Sequence, residues 1–371
     1  MAEYIMVACD LHDETMLLKV ASGRGAAEKR VAENSASGRR QMILDLKRRS
    51  KAAGGSKVVF AYEASSQGFG LCDELRQAGI VCHVLAPTKI ARSAQHRRRK
   101  TDERDADRIL DILRGHLLGG NDLPSVWMPD AQTREDREIL RGRLDVGEKL
   151  TALKAQVRTL LKRNSIQKPA GLSKNWTGQF ESWLRGLAGA GGPLTPGAKV
   201  ALNSLLRQRA ALEEERMRFD EQVAALSETA RYAHPARTMM QLQGVGLFTA
   251  MVFLTEMGDL GRFENRKQVG AYLGLAPSSD ESGKDTDHKG HITHQGPWRV
   301  RRVLCQATWS RVRTDPEEKA VYERIVKKNP KHKKIAVVAA MRRLAVVLWH
   351  IGSETQRRHG CFALDRPAQV A

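Results

Sequence analysis

Two short apolar runs near the start of the chain, residues 4–10 (YIMVACD) and 58–63 (VVFAYE), each end on a carboxylate, Asp10 and Glu63. Runs this short suit buried strands better than helices. A strand that stays apolar up to its last residue delivers that residue to the rim of a sheet. The pattern therefore predicts two acids at one sheet edge. Residues 15–20 read as the hairpin neighbour of the first run, across the turn-like His12-Asp13-Glu14, and residues 80–85 as a further strand. Helical stretches are expected over residues 37–51, 69–77 and 102–116. Paired strands followed by strand–helix alternation imply a mixed sheet with helices on its faces.

More acids open the last of those helices. Asp102 and Asp105 lie three apart and project from one face, whereas Asp107, five from Asp102, points elsewhere. For Asp102 a helix cap is the plain alternative, a role Thr101 could also fill. Acids gathered from two strands and a helix repel one another unless a divalent cation sits among them. Hard oxygen donors suit Mg2+ or Mn2+, and two such ions can clamp the attacking and leaving oxygens of a phosphodiester. Directly before these acids run His96, Arg97, Arg98, Arg99 and Lys100, a grip for flanking phosphates. On pattern alone, surface acids and caps stay open as the alternative to a nuclease-type centre.

Charge points the same way. Lys and Arg number 62 against 42 Asp and Glu, a net +20. Such an excess favours a polyanionic partner, because each neutralised phosphate releases condensed counterions; a merely solubilising basic coat is the other reading. Trp298, Arg299, Arg301 and Arg302 place an aromatic inside a basic run, a pattern of nucleic-acid grooves, with a solvated helix face as the alternative for the two later arginines. The five cysteines (Cys9, Cys72, Cys82, Cys305, Cys361) form no CxxC pair, which fits a reducing compartment and argues against a disulfide framework or thiolate zinc site. Carboxylates precede any leader-like stretch, and the apolar run at 335–340 is broken by Arg342 and Arg343, short of a bilayer span. A cytoplasmic protein with no membrane partner is expected.

The middle of the chain is helical. Ile139, Val146, Leu150, Leu153, Val157 and Leu160 form an a/d seam, and Leu205, Leu212, Phe219 and Leu226 a row at intervals of seven. Pro169, Gly171 and the Gly/Pro-rich residues 186–197 separate them. A hairpin packed on itself and a coil between chains fit this spacing equally. Further on, Leu242-Gln243-Gly244-Val245-Gly246 resembles the glycine turn of a helix-hairpin-helix, where backbone N–H groups approach a phosphate, or is plain turn chemistry. Residues 277–283 hold Ser278, Ser279 and Ser282 and read by themselves as a polar turn, since a serine hydroxyl needs activation to attack. His288, His291 and His294 lack the helix of an HExxH metal site and read as a polar or phosphate-contacting loop.

Three blocks carry a resemblance: Tyr4-Ile5 leading to Asp10, Ala61-Tyr62-Glu63-Ala64, and Lys100-Thr101-Asp102 with Asp105-Ala106. They resemble the DEDD signature of a large insertion-sequence transposase family whose N-terminal domain is like RuvC, a junction resolvase of ribonuclease-H-like fold. Gly244-Val245-Gly246, Arg262-Phe263, Gly274-Leu275-Ala276-Pro277, Glu281-Ser282-Gly283 and Gly296 with Arg301-Arg302 follow that family's C-terminal transposase domain in order. The chain is thereby identified as a member of the bridge-RNA-guided recombinases of the IS-one-ten type. Cys9 and Ser65-Ser66 depart from the family pattern without removing a ligand, and residues 165–200 are longer than in shorter relatives.

The resemblance implies three parts: a RuvC-like mixed-sheet α/β domain over 1–130, an all-α coiled-coil region over 131–232, and a mostly helical transposase domain over 233–371. It implies catalytic, metal-holding Asp10, Glu63, Asp102 and Asp105, and Ser282 as a nucleophile that forms a phosphoserine link. It further implies donor and target DNA, an element-encoded guide RNA, and a homo-oligomer, dimer or tetramer, with active sites shared between subunits. The rival enzymatic reading is a junction-resolving endonuclease with no covalent serine step. A non-catalytic nucleic-acid packaging protein is the rival from another class.

Overall fold

The computed structural model describes residues 4–90, 102–173, 176–279, 289–328, 330–331 and 333–362. The chain divides into two compact units, Met1–Met128 and Pro129–Ala371.

In the first unit, β1 (Tyr4–Leu11), β2 (Thr15–Ser22), β3 (Glu28–Glu33), β4 (Lys57–Glu63) and β5 (Val81–Leu85) form one sheet in the order β3-β2-β1-β4-β5. The β1–β2 and β2–β3 pairs are antiparallel, and β1–β4 and β4–β5 are parallel. Alternation sorts the side chains onto two faces. Val7, Cys9, Phe60 and Tyr62 pack with Met42 and Leu46 of α1 (Ala36–Ala52) and Leu71 and Leu75 of α2 (Gly70–Gln77). Met6, Ala8, Val59 and Ala61 face the other way, against Ile109, Leu110 and Leu113 of α3 (Asp102–Gly119). The alanines on that face let α3 lie close to the strands. This is the mixed-sheet, RuvC-like α/β domain expected from the sequence. β3 was not foreseen: its residues, EKRVAE, include no fully buried side chain, so an edge strand of this kind leaves no apolar run to read.

The second unit is mostly helical, as expected. It holds α4 (Ala131–Arg163), α5 (Gly178–Ala188), α6 (Pro196–Ser227), α7 (Ala233–Met240), α8 (Leu247–Met257) and α9 (Arg266–Tyr272). The β6 (Pro277–Ser279) and β7 (Lys289–Ile292) strands pair as a small hairpin before α10 (Trp298–Thr314), α11 (Pro316–Lys328) and α12 (Lys333–His359). α4 and α6 pack on each other within the chain. Arg143 Nε lies 2.6 Å from Asp220 Oδ1, and a Cβ at Gly142 would come within 2.5 Å of the Phe219 ring. The α4 seam therefore has an intramolecular partner, the first of the two readings its spacing allowed. Between α4 and α6, α5 adds Phe180, Leu184 and Leu187 to an apolar cluster with Leu153, Val157 and Leu160 of α4, and Thr195 caps α6 with Pro196 in its first turn.

Leu140, Leu144 and Val223, from the near ends of α4 and α6, share one core with α8, α10 and α12. The tie is reinforced by Arg137, whose guanidinium donates to the last carbonyls of α8, Thr255 O at 2.9 Å and Glu256 O at 2.7 Å. A cation there satisfies orphaned carbonyls and faces the negative end of the helix dipole. α12 corrects one expectation. The helix runs through Arg342 and Arg343, and its 27 residues are long and apolar enough to cross a membrane, with half of the apolar window buried inside the unit. Ala340, Leu344, Ala345 and Leu348 are buried, and Trp349 Nε1 donates to Leu260 O at 3.0 Å. It is a core helix whose two arginines lie outside the buried stripe.

Arg137→Ala is expected to destabilise this unit by about 3 kcal/mol, because it strips the buried α8 terminus of its donors. Arg141→Ala, at a side chain 32% exposed, should cost less. Melting temperatures of the two variants check the order.

Candidate functional site

Parallel pairing sets Cys9 beside Tyr62, so the next residues, Asp10 and Glu63, stand level on adjacent strands. Two residues earlier, Ala8 and Ala61 both point towards α3, and alternation gives Asp10 and Glu63 the same direction. Asp102 opens α3 on that side. Between the strand and the helix stands His12, whose Nε2 is 3.1 Å from Asp10 Oδ2 and 3.4 Å from Asp102 Oδ2. One ligand atom from each of these three residues lies within 4.8 Å of the others. Burial pushes the Asp10 carboxyl above the usual aspartate range; His12 opposes the rise, and the charges of Asp102 and Asp105 add to it. Asp105 also sits 3.6 Å from the Arg108 guanidinium.

The donor set fits a divalent ion. Ligands held about 2.1 Å from an octahedral ion are separated by roughly 3.0 Å at right angles and roughly 4.2 Å across it. The distances from His12 to Asp10 and to Asp102, 3.1 and 3.4 Å, fall in that range, and all three ligand atoms lie within 4.8 Å of one another. The tight cluster thus contains two of the four predicted acids, with Asp105 within its field and Glu63 level with Asp10. His12 was missed from sequence. An Asp-x-His at a strand end, where residues two apart share a face, was the available signal. Its turn is pinned, with His12 N donating to Thr15 O at 2.9 Å and Asn34 Nδ2 donating to His12 O at 2.7 Å. An open cleft of about 510 Å3 adjoins it, lined by His12, Asp13, Ser65, Ser66 and Gln67 among others.

The remaining acids of the first turns of α3 point elsewhere. Lys19 of β2 is buried, donates to Glu103 at 2.8 Å and lies 3.0 Å from Asp107. Lys29 donates to the other Glu103 oxygen at 2.8 Å. Hydrogen bonds from Lys19 and Lys29 hold the Glu103 carboxyl down at about 2.

The segment carrying Ser282, Asp285, Asp287 and His288, and the run Arg97, Arg98, Arg99 and Lys100, lie outside the described residues. The strands flanking the serine segment are described. Below them, Gly274 (φ +62°) and Gly296 (φ +73°) bring two chain segments together; a Cβ would lie 2.2 Å from Gln295 O at the first and 1.8 Å from Tyr272 O at the second. Arg301, foreseen as a nucleic-acid contact, directs its guanidinium to this junction. Its Nη1 donates to Leu273 O at 3.0 Å and Gln295 O at 2.8 Å, and its Nη2 to His294 O at 3.0 Å. Arg302 pairs with Glu148. Trp298 is 41% exposed, with the Arg299 guanidinium 4.9 Å from its ring centre. Gly244 (φ +85°) serves helix packing, since a Cβ there would meet Arg311 Cγ at 2.8 Å and Ala307 O at 3.3 Å. His291 and His294 join no metal-sized cluster among the described residues.

A sheet in the order β3-β2-β1-β4-β5, with acids ending β1 and β4 and a helix of acids laid across them, defines a RuvC-like domain of the DEDD type. Residues 8–165 match the family profile of DEDD transposases of the IS110 type, and residues 236–323 match the profile described as transposase IS116/IS110/IS902 family. The chain belongs to this family of insertion-sequence transposases. It is similar to the y4qE protein of Sinorhizobium fredii, 31% identical over 68% of this chain and 58% of that protein's length. The y4rJ protein of the same organism is 29% identical over 90% of this chain and 87% of its own length. The transposase for insertion sequence element IS1533 of Leptospira borgpetersenii is 25% identical over 68% of this chain and 70% of that protein.

The folded protein holds the Asp10 carboxyl above its unfolded value near 3.8, so ionised Asp10 costs stability at neutral pH, and the cost fades as pH falls through the folded value towards the unfolded one. In chelator at pH 7, Asp10→Asn is expected to melt at a higher temperature than the native chain, by a margin that shrinks on acidification. Equal melting temperatures at pH 7 would contradict this assignment. Arg301→Ala should expose backbone amides over residues 293–296 to faster hydrogen exchange, with about 2 kcal/mol lost at the junction.

Proposed function

We propose that this chain is a DNA transposase of the recombinase kind, which cleaves and rejoins DNA strands to insert and excise an insertion element. The observation that carries this reading is the meeting of Asp10 and Asp102, far apart in sequence, at the rim of a RuvC-like sheet in a chain of this family. Asp10, Glu63, Asp102 and Asp105 would hold Mg2+ or Mn2+, with His12 as a further donor. Such ions polarise a phosphate and stabilise charge on its attacking and leaving oxygens.

Ser282 is the nucleophile in this reading. Its Oγ bonds to phosphorus as the phosphorus–oxygen bond to the departing strand breaks, its proton leaves, and the freed sugar hydroxyl gains one. The phosphoserine link keeps the strand's bond energy, so attack by a new hydroxyl restores a phosphodiester and frees the serine. Carboxylates of one subunit work with the serine of another, in a dimer or tetramer. An element-encoded guide RNA pairs with donor and target DNA, while the protein reads RNA shape and backbone. Arg97, Arg98, Arg99 and Lys100 contact phosphates, as do Arg299 and Arg302, and Trp298 offers an exposed ring for stacking. The net charge of +20 supports a polyanionic partner.

With DNA bearing the element's ends, the native protein is expected to give a denaturant-resistant protein–DNA adduct. Ser282→Ala should give none. Asp102→Asn should bind DNA with little change yet lose cleavage by roughly a thousandfold or more. Cleavage retained in Ser282→Ala without an adduct would favour the junction-endonuclease reading. Sequencing RNA that co-purifies with the protein checks the guide; the absence of RNA from the element's own ends removes that part.

A further inference from the structure

We propose that Lys19 is a positioning residue of the carboxylate cluster: from β2 it holds Glu103 and Asp107, and so sets the rotation of α3 that turns Asp102 and Asp105 towards Asp10. This rests on the reading of those acids as a metal site. α3 presents Asp102, Glu103, Asp105, Asp107 and Asp111 within ten positions, and something must decide which of them face the strand ends. At roughly 100° per residue, Glu103 and Asp107 lie about 70° and 110° to one side of the buried stripe of Ala106, Ile109, Leu110 and Leu113. On the same helical wheel, Asp102 and Asp105 lie about 30° and 90° to the other side. The stripe meets Ala8, Ala21 and Ala61, small side chains that give a close seat and little directional hold.

Lys19 supplies the missing direction. It pairs across the sheet with Ala8, two residues before Asp10, and its side chain is 9% exposed. Its contacts at 2.8 Å and 3.0 Å reach carboxylates one helical turn apart, so it grips α3 at two points on one flank. Lys29, beside it on β3, adds a more exposed hold on Glu103. Burying an ammonium is costly, and an apolar residue would cover the alanines more cheaply. What the lysine adds is orientation, and its charge partly offsets those of Glu103 and Asp107.

The test is Mn2+ binding to the nucleic-acid-free, full-length protein, followed by the paramagnetic resonance of free Mn2+, beside the Mn2+ concentration giving half-maximal DNA cleavage. The native chain should bind Mn2+, and Asp10→Asn with Asp102→Asn should abolish it. Lys19→Met is expected to weaken Mn2+ binding about tenfold or more and to shift the half-maximal concentration alike, as loss of outer-sphere support does elsewhere. Its melting temperature and DNA affinity should stay close to native, and Lys19→Arg, which keeps the charge and both acceptors, should recover most of the loss. The pair Glu103→Gln with Asp107→Asn, at side chains 45% and 46% exposed, removes the same grip and decides the matter should Lys19→Met not fold. A folded Lys19→Met, or the paired variant, with native Mn2+ affinity overturns the role of Lys19 alone. Native protein whose Mn2+ binding ignores the Asp10 and Asp102 substitutions overturns the metal reading, and this proposal with it.

Discussion

The parallel pairing of β1 with β4 is the contact on which the first unit's chemistry depends. Its register sets Cys9 against Tyr62 and leaves Asp10 and Glu63 level at the strand ends. A slip of one residue would turn one of those acids to the opposite face, into the cluster of Phe60, Tyr62 and Leu75. The register is held because both faces are buried: the large side chains at 60 and 62 fill the α1/α2 side, and the alanines at 8 and 61 admit α3 on the other. Packing that stabilises the sheet therefore also aims the acids. The half-buried rim in turn makes ionisation of Asp10 unfavourable unless a positive charge arrives, which is the electrostatic state a cation site requires.

The second unit solves a different problem, the seating of a small hairpin on a helical body. The β6–β7 hairpin is short, and two strands alone are marginal in water. Its support comes from below. Two glycines in left-handed conformations allow backbone to touch backbone at Gln295 and Tyr272, and Arg301 bonds the carbonyls that this contact leaves exposed. Residues that the sequence singled out as motif positions thus have a local physical task. Gly274, Gly296 and Arg301 build the floor under the β6–β7 hairpin, and Gly244 admits α10.

Much of the α/β domain was legible because its signals are local. Strand ends at Asp10 and Glu63, and the apolar periodicity of α3, need only neighbouring residues to be read. β3 escaped because a mostly charged edge strand has no apolar run. The α4 seam was visible at Val146, Leu150, Leu153 and Val157, while its partner was not, since heptad spacing is the same for a partner in this chain or another. The row on α6 is half of its seam: Leu205 and Leu212 are partly covered by the cluster with α4 and Phe219 lies against Gly142, while Leu202 and Val223, each three positions before a member of the row, are buried deeper.

By itself the sequence determined the class of fold, the family and the basic character, because periodicity, spacing and charge are properties of the chain. Tertiary structure decided the roles of residues whose partners are remote. It brought His12 between Asp10 and Asp102, gave Glu103 and Asp107 to Lys19, and turned Arg301 inward onto carbonyls. A cationic side chain has no preferred partner until folding brings one within about 3 Å, and a long flexible stem reads the same in sequence whether its end meets water, a phosphate or a backbone oxygen.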